Sequence, residues 1–175
     1  SGGEAVLAPR VVFEPLRLAC ETKSLALQTT SLDCIAKLVS YAFFAEDPDT
    51  AAARGGGTGG TLADVVVETV CNCYEETVDE RVAVQIVKAL LACVLSTSIR
   101  VHQSSLLRAV RTVYNIFLMS RTPGNQAIAQ GSLSQMVNYV FSRVPRKGGA
   151  EAKEETSPEA EPVTLQMLEN RRSFE

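Results

Sequence analysis

At 175 residues, 46% hydrophobic and 21% charged, the chain is long enough for one ordinary globular core with a polar tail outside it. A net charge of −3 and a pI near 5.3 exclude the overall basic field that holds proteins on nucleic acid or anionic membranes. There is no signal-peptide pattern and no uncharged apolar run of about 20 residues, so the sequence supports neither secretion nor a membrane span.

In chain order, Ser1-Gly2-Gly3 reads as a cloning remnant, and the missing initiator Met as the mark of a fragment; residues 1–9 are expected to be flexible. Pro9 and Pro15 bracket Arg10 to Glu14. Pro15 suits the first turn of a helix, where its missing N–H is not needed, so the first helix is expected to be short or broken. A second helix is expected over about residues 24 to 44, with Ser24 as N-cap and an apolar stripe of Leu32, Ile35, Leu38, Val39, Ala42 and Phe43. Residues 45 to 60, ending in a glycine run, read as a long flexible connection.

Thr61 with Asp64 resembles a capping box that starts the third helix, on which Leu62, Val65, Val66, Val70 and Cys73 form the weakest stripe. Asp79 caps the fourth, with Glu80 in its first turn and Ile86, Val87, Leu90, Leu91, Val94 and Leu95 turned inward. Ser96-Thr97-Ser98 breaks it. The fifth, from about Ser104 to Ser120, repeats the rhythm in Leu106, Val110, Val113, Tyr114, Phe117 and Leu118. Thr122-Pro123-Gly124-Asn125 separates it from the sixth, which carries Leu133, Met136, Val137, Val140 and Phe141 and reaches about Arg143. Residues 145–162 are too acidic and proline-rich to fold, and residues 163–175 offer one short amphipathic helix.

Spacings of three and four put each stripe on one side of a helix, so every helix must meet another. Short connections make neighbours antiparallel, and stripes recurring about every 20 residues, or 40 per pair, match an all-α, armadillo- or HEAT-like α-solenoid of about six to seven helices over residues 10–144. An irregular helical bundle is the competing architecture.

No pattern points to a catalytic, cofactor or metal site. Cys71-x-Cys73 lacks a zinc-knuckle spacer and a second ligand pair, and the sole histidine, His102, lies at a helix entrance. The glycine run lacks the Lys-Ser or Lys-Thr of a phosphate loop. The five cysteines are an odd set within apolar patterns, which reads as packing in a reducing, intracellular compartment. Two polar patterns suggest binding. On the second helix, Asp33, Lys37, Ser40, Tyr41 and Phe44 mix charges with aromatic anchors, as protein-binding surfaces do; the plain alternative is that Tyr41 and Phe44 cover the neighbouring helix. On the fifth, Arg108, Arg111 and Asn115 form a basic strip; the plain alternative is an inter-helix hydrogen-bond ladder, and the RNA-binding alternative lacks stacking aromatics.

Phe13-Glu14-Pro15-Leu16-Arg17-Leu18-Ala19-Cys20-Glu21-Thr22 and Ser31-Leu32-Asp33-Cys34-Ile35-Ala36-Lys37-Leu38-Val39-Ser40-Tyr41 resemble blocks of the large trans-Golgi Arf guanine-nucleotide exchange factors, the BIG and Sec-seven class. So do Gln85-Ile86-Val87-Lys88-Ala89-Leu90-Leu91, Ala109-Val110-Arg111-Thr112-Val113-Tyr114-Asn115-Ile116-Phe117 and Gln135-Met136-Val137, with fungal members closest. The resemblance covers roughly residues 10 to 143 and is to the N-terminal dimerisation and cyclophilin-binding domain, an armadillo-like module. It implies a non-catalytic role in regulating exchange on Arf, since the catalytic glutamate belongs to a domain outside this segment. It also implies self-association or docking on the following helical region, and recruitment from the cytoplasm to trans-Golgi membranes by a GTP-bound Arf-like GTPase. The expected GTPase surface is Asp33, Lys37, Ser40, Tyr41 and Phe44, with Lys88 beside it; the expected self-association surface is Arg108, Arg111 and Asn115. A generic helical-repeat scaffold or an RNA-binding solenoid is the alternative.

Overall fold

The computed structural model describes residues 8–45 and 61–143. The expectations for the N-terminal seven residues, the glycine-bearing connection and the acidic tail lie outside these. Among the described residues the chain is all-α, with six helices: α1 (Pro9–Glu21), α2 (Leu25–Ser40), α3 (Leu62–Asn72), α4 (Glu80–Leu95), α5 (Gln103–Met119) and α6 (Pro123–Ser142).

Helix pairs α1/α2, α3/α4 and α5/α6 pack as hairpins, and successive hairpins stack so that α1, α3 and α5 form one layer and α2, α4 and α6 the other. This is the α-solenoid arrangement. Cross-hairpin polar contacts repeat the period: Asp64 to His102 spans 38 residues, Arg108 to Asn72 spans 36 and Tyr139 to Ser96 spans 43.

Helix α4 is the centre of the stack, packed against α2, α3, α5 and α6. Its buried set, Val82, Ala83, Ile86, Val87, Ala89, Leu90, Cys93 and Val94, wraps most of its circumference, as expected of a helix covered on several sides. The terminal helices bury much less: α6 contributes only Ala129, Ser132 and Met136.

Three local expectations change. Helix α1 is continuous, with Pro9 rather than Pro15 at its first positions and Pro15 in its interior. An interior proline forfeits one backbone hydrogen bond and crowds the carbonyl four residues back, a cost of about 3 kcal/mol that packing must offset. Phe13 and Cys20, two turns apart on the inward face, supply that packing. Helix α2 ends at Ser40, four residues before the expected end. Ala42 takes a left-handed conformation, φ 59°, with Ala42 N–H donating to Val39 O at 3.0 Å and Phe43 N–H to Leu38 O at 2.9 Å. That is a Schellman turn, closed here by alanine instead of the usual glycine. Ser24 occupies the N-cap of α2 without a side-chain capping bond. Finally, Tyr114 and Leu118 of α5 and Val137 and Phe141 of α6, expected inside, are exposed.

The other caps match their sequence signals. The Asp79 carboxylate accepts from Arg81 N–H at 2.9 Å, and Thr61 Oγ1 accepts from Asp64 N–H at 3.3 Å.

Candidate binding faces

The turn after α2 decides which of its aromatics is available. Because the backbone reverses at Ala42, Phe44 is swung into the core, 0% exposed, and meets Phe13 edge to face at 5.7 Å between centroids. Phe44 therefore leaves the expected partner surface. Tyr41, the C-cap residue just before the reversal, stays outside with 81% of its surface exposed. An exposed ring at a fixed helix terminus costs nothing to desolvate on the protein side beyond the ring itself, and it is held by its backbone N–H donating to Lys37 O at 2.9 Å.

Beside it, Lys37 Nζ lies 2.6 Å from the Asp33 carboxylate, an intrahelical pair one turn apart. The hydrogen bond from Lys37 to Asp33 raises the Lys37 pKa, so the ammonium is secure at neutral pH. Ser40 turns its hydroxyl back to Ala36 O at 2.8 Å. Across the α2–α4 contact, Ser40 and the exposed Lys88 line one shallow depression of about 480 Å³ with Val39, Leu91, Ala92 and Leu95. Thus Ser40 and Lys88, far apart in sequence, share one surface with an apolar floor, and Lys37 and Tyr41 follow from Ser40 on α2.

The second expected face divides. Arg108 reaches across to α3, donating to Asn72 Oδ1 at 2.6 Å and lying 3.4 Å from the Glu68 carboxylate, so it serves the inter-helix ladder. Arg111 is exposed and Asn115 half-buried. Sequence periodicity missed what surrounds Arg111: Leu107, Tyr114 and Leu118 are 61%, 51% and 55% exposed and fall with it on one side of α5. Their offsets of four, three and four were legible, but both Tyr114 and Leu118 were assigned to the core because they adjoin Val113 and Phe117.

Two polar nodes hold the repeats in register. Asp64 accepts His102 N–H at 3.0 Å through one oxygen, and its other oxygen meets His102 Nδ1 and the Thr61 hydroxyl. Its carboxyl pKa is lowered by these hydrogen bonds, with burial opposing them. Glu80 is the second: its carboxylate accepts the Ser120 hydroxyl, Arg121 N–H at 2.7 Å, the Thr122 hydroxyl at 3.0 Å and Asn125 Nδ2 at 2.6 Å. It thereby ties the α5–α6 turn and the first turn of α6 to the neighbouring repeat. The Ser120 hydroxyl, followed by the Arg121 amide, depresses the Glu80 pKa to about 2. Among the described residues there is no group of three or more His, Cys, Asp or Glu side chains placed to hold a metal ion. No described helix is long and apolar enough to cross a membrane.

The stacked hairpins, with Tyr41 exposed after α2 and a Leu107, Arg111, Tyr114 and Leu118 stripe on α5, define a helical-repeat domain. The chain belongs to the DCB family, the Mon2/Sec7/BIG1-like dimerisation and cyclophilin-binding domain, whose family model matches residues 4–147. It is 46% identical over 139 residues, 79% of this chain, to the ADP-ribosylation factor guanine nucleotide-exchange factor sec71 of Schizosaccharomyces pombe. It is 40% identical over 144 residues, 81% of this chain, to the human Brefeldin A-inhibited guanine nucleotide-exchange protein 1. To the SEC7 exchange factor of Saccharomyces cerevisiae it is 37% identical over 155 residues, 78% of this chain. The chain spans only 7% of the sec71 relative and 8% of the other two.

Proposed function

We propose that this domain is a non-catalytic regulatory and recruitment module of an Arf guanine-nucleotide exchange factor. It binds an Arf-like GTPase in its GTP form through the α2–α4 face and associates with itself, or with the adjacent helical region, through the α5 face. In this reading the whole protein works in Golgi vesicle traffic, reaching trans-Golgi membranes from the cytoplasm as a peripheral protein held by its partners. The family membership supports the setting: the family's description names dimerisation, and the relatives' names state guanine-nucleotide exchange on an ADP-ribosylation factor.

The observation that carries the GTPase assignment is Tyr41, an 81%-exposed ring at the C-cap of the helix that carries Asp33, Lys37 and Ser40, with Ser40 and Lys88 lining one apolar-floored depression. An aromatic anchor surrounded by polar groups suits a switch surface that is apolar at its centre. Because the GTP state orders the switches, nucleotide selectivity follows without any contact between this domain and the nucleotide. Lys37 and Asp33 neutralise each other within the face, so they set orientation and Tyr41 supplies most of the energy.

The test is binding to purified Arf and Arf-like GTPases loaded with a GTP analogue or GDP. One GTP-loaded member is expected to bind, with Tyr41→Ala costing about 2 kcal/mol or more and Lys37→Glu about 1 to 3 kcal/mol. Unchanged affinity for both variants, with the helical circular dichroism intact, rejects this face.

Self-association rests on the exposed Leu107, Arg111, Tyr114 and Leu118 stripe of α5. Light scattering is expected to show mass rising with concentration, and Leu107→Asp with Leu118→Asp to hold the domain monomeric. A wild-type chain that stays monomeric across a wide concentration range removes self-association from the role of this segment.

A further inference from the structure

Of the five cysteines, two are brought together. Cys20 lies one residue before the end of α1 and Cys73 is the C-cap of α3; the packing of α1 on α3 sets these ends side by side. The two cysteines are 3% and 6% exposed, yet both line an open depression of about 350 Å³. Lys23 and Glu75, ion-paired at 2.5 Å, stand on its rim with Asn72 and Asp79.

The other three cysteines lack this combination. Cys93 is enclosed in the core, and burial pushes its pKa up to about 12. Cys71 is buried, its pKa raised by burial. Cys34 is half-exposed on α2.

We propose that Cys20 and Cys73 are a reversible dithiol site that closes to an intramolecular disulfide when the domain meets a hydroperoxide, locking the first helical repeat to the second. The attacking sulfur is Cys20. The Cys73 S–H donates to Thr69 O at 3.4 Å. The neighbouring Cys73 thiol lowers the Cys20 pKa against the effect of burial, while Cys20 together with burial raises that of Cys73. The Cys20 thiolate attacks one peroxide oxygen; the O–O bond breaks, leaving a sulfenic acid on Cys20 and hydroxide, which takes up a proton to become water. The Cys73 sulfur then attacks the Cys20 sulfur, the S–O bond breaks, and the departing hydroxide leaves as water with the Cys73 thiol proton. Two thiols are oxidised to one disulfide, and one peroxide is reduced to two waters.

Both sulfurs sit at helix ends, where the backbone adjusts more readily than in a helix interior, so closure does not have to deform either helix. The bond would close a loop from residue 20 to residue 73 that contains all of α2 and its Tyr41 face. A loop of that length restricts the unfolded chain strongly, and the oxidised domain is expected to melt at least about 5 °C higher than the reduced one.

The experiment is graded hydrogen peroxide treatment of the chain, quenching with an alkylating agent, and intact-mass and peptide mapping without reductant. The expected product is two hydrogens lighter, with the Cys20 peptide joined to the Cys73 peptide, three thiols still alkylated, and full reversal by dithiothreitol. In Cys73→Ser, dimedone should trap a sulfenic acid on Cys20. A disulfide between any other pair, or oxidation of Cys34 with Cys20 and Cys73 still alkylated, overturns the proposal. The wild-type map decides this even if the serine variant does not fold.

Discussion

The first and last repeats of this solenoid end in opposite ways. The α1/α2 repeat is closed by backbone turns and aromatic burial: Lys23 and Ala42 adopt left-handed conformations after their helices, and Phe13 packs on Phe44 in the core. Its exposed surface mixes charge, with Arg17 paired to Glu14 and Glu21 along α1, and the apolar side chains of Val11, Leu18 and Leu27. The α5/α6 repeat is held instead by polar staples, Glu80 to the start of α6 and Asp64 to the start of α5, and it leaves Leu107, Tyr114, Leu118, Val137 and Phe141 in solvent. The contrast is in how each repeat is closed, by a buried aromatic pair at the first and by charged staples at the last.

The largest effect that tests this contrast is expected at Phe44. Replacing a 0%-exposed ring that contacts Phe13 removes transfer energy and leaves a cavity, so Phe44→Ala should destabilise the domain by about 3–5 kcal/mol in urea or thermal unfolding. Phe141→Ala, at 71% exposure, should change stability by less than about 0.5 kcal/mol. Equal losses at the two positions would erase the distinction between a buried and an open end.

The staple at the other end titrates. The folded pKa of Glu80 is about 2, below the ordinary glutamate value of 4.5, so the folded state binds fewer protons there than the unfolded chain. Its contribution is complete above about pH 4.5 and is lost as pH falls through about 2. Glu80→Gln replaces one accepting oxygen by a donor facing Ser120, Thr122 and Asn125, which themselves donate, and should cost about 1–3 kcal/mol at neutral pH. It should also flatten the acid limb of the stability curve relative to wild type. An identical acid limb in the variant means that Glu80 is not the group that reads the pH.

These contrasts were legible in the sequence to different degrees. Helix positions followed from stripes and caps: Asp79, Thr61 and the Ser96-Thr97-Ser98 break set their boundaries within a residue or so, because each signal is local. The end of α2 was not legible, since the reversal falls on Ala42 where a glycine would have announced it, and the apolar rhythm continues through Phe43 and Phe44. The same continuation hid the burial of Phe44 and misassigned it to a surface. On α5, periodicity correctly found an apolar side, but a stripe spanning Val113, Tyr114, Phe117 and Leu118 is wider than the one neighbouring layer can cover, so its edge faces solvent. Tertiary pairings such as Glu80 with Asn125, or Cys20 with Cys73, depend on the stack and leave no sequence signature.

The smallest effect, and the most direct probe of the closed end, lies at Ala42. Alanine at φ 59° pays the Cβ strain of the left-handed region, roughly 1–2 kcal/mol, which glycine does not. Glycine in turn gives the unfolded chain more freedom, by about 0.4–1 kcal/mol. The side chain is exposed, so little packing is lost on its removal. Ala42→Gly should therefore stabilise the domain by about 0.5–1 kcal/mol while leaving Tyr41 and GTPase affinity unchanged. Ala42→Val, β-branched at the same φ, should destabilise it and loosen the turn that separates Tyr41 outside from Phe44 inside. If glycine instead destabilises and valine is neutral, the left-handed turn is not what directs these two aromatics, and the first repeat is closed by the Phe13–Phe44 contact alone.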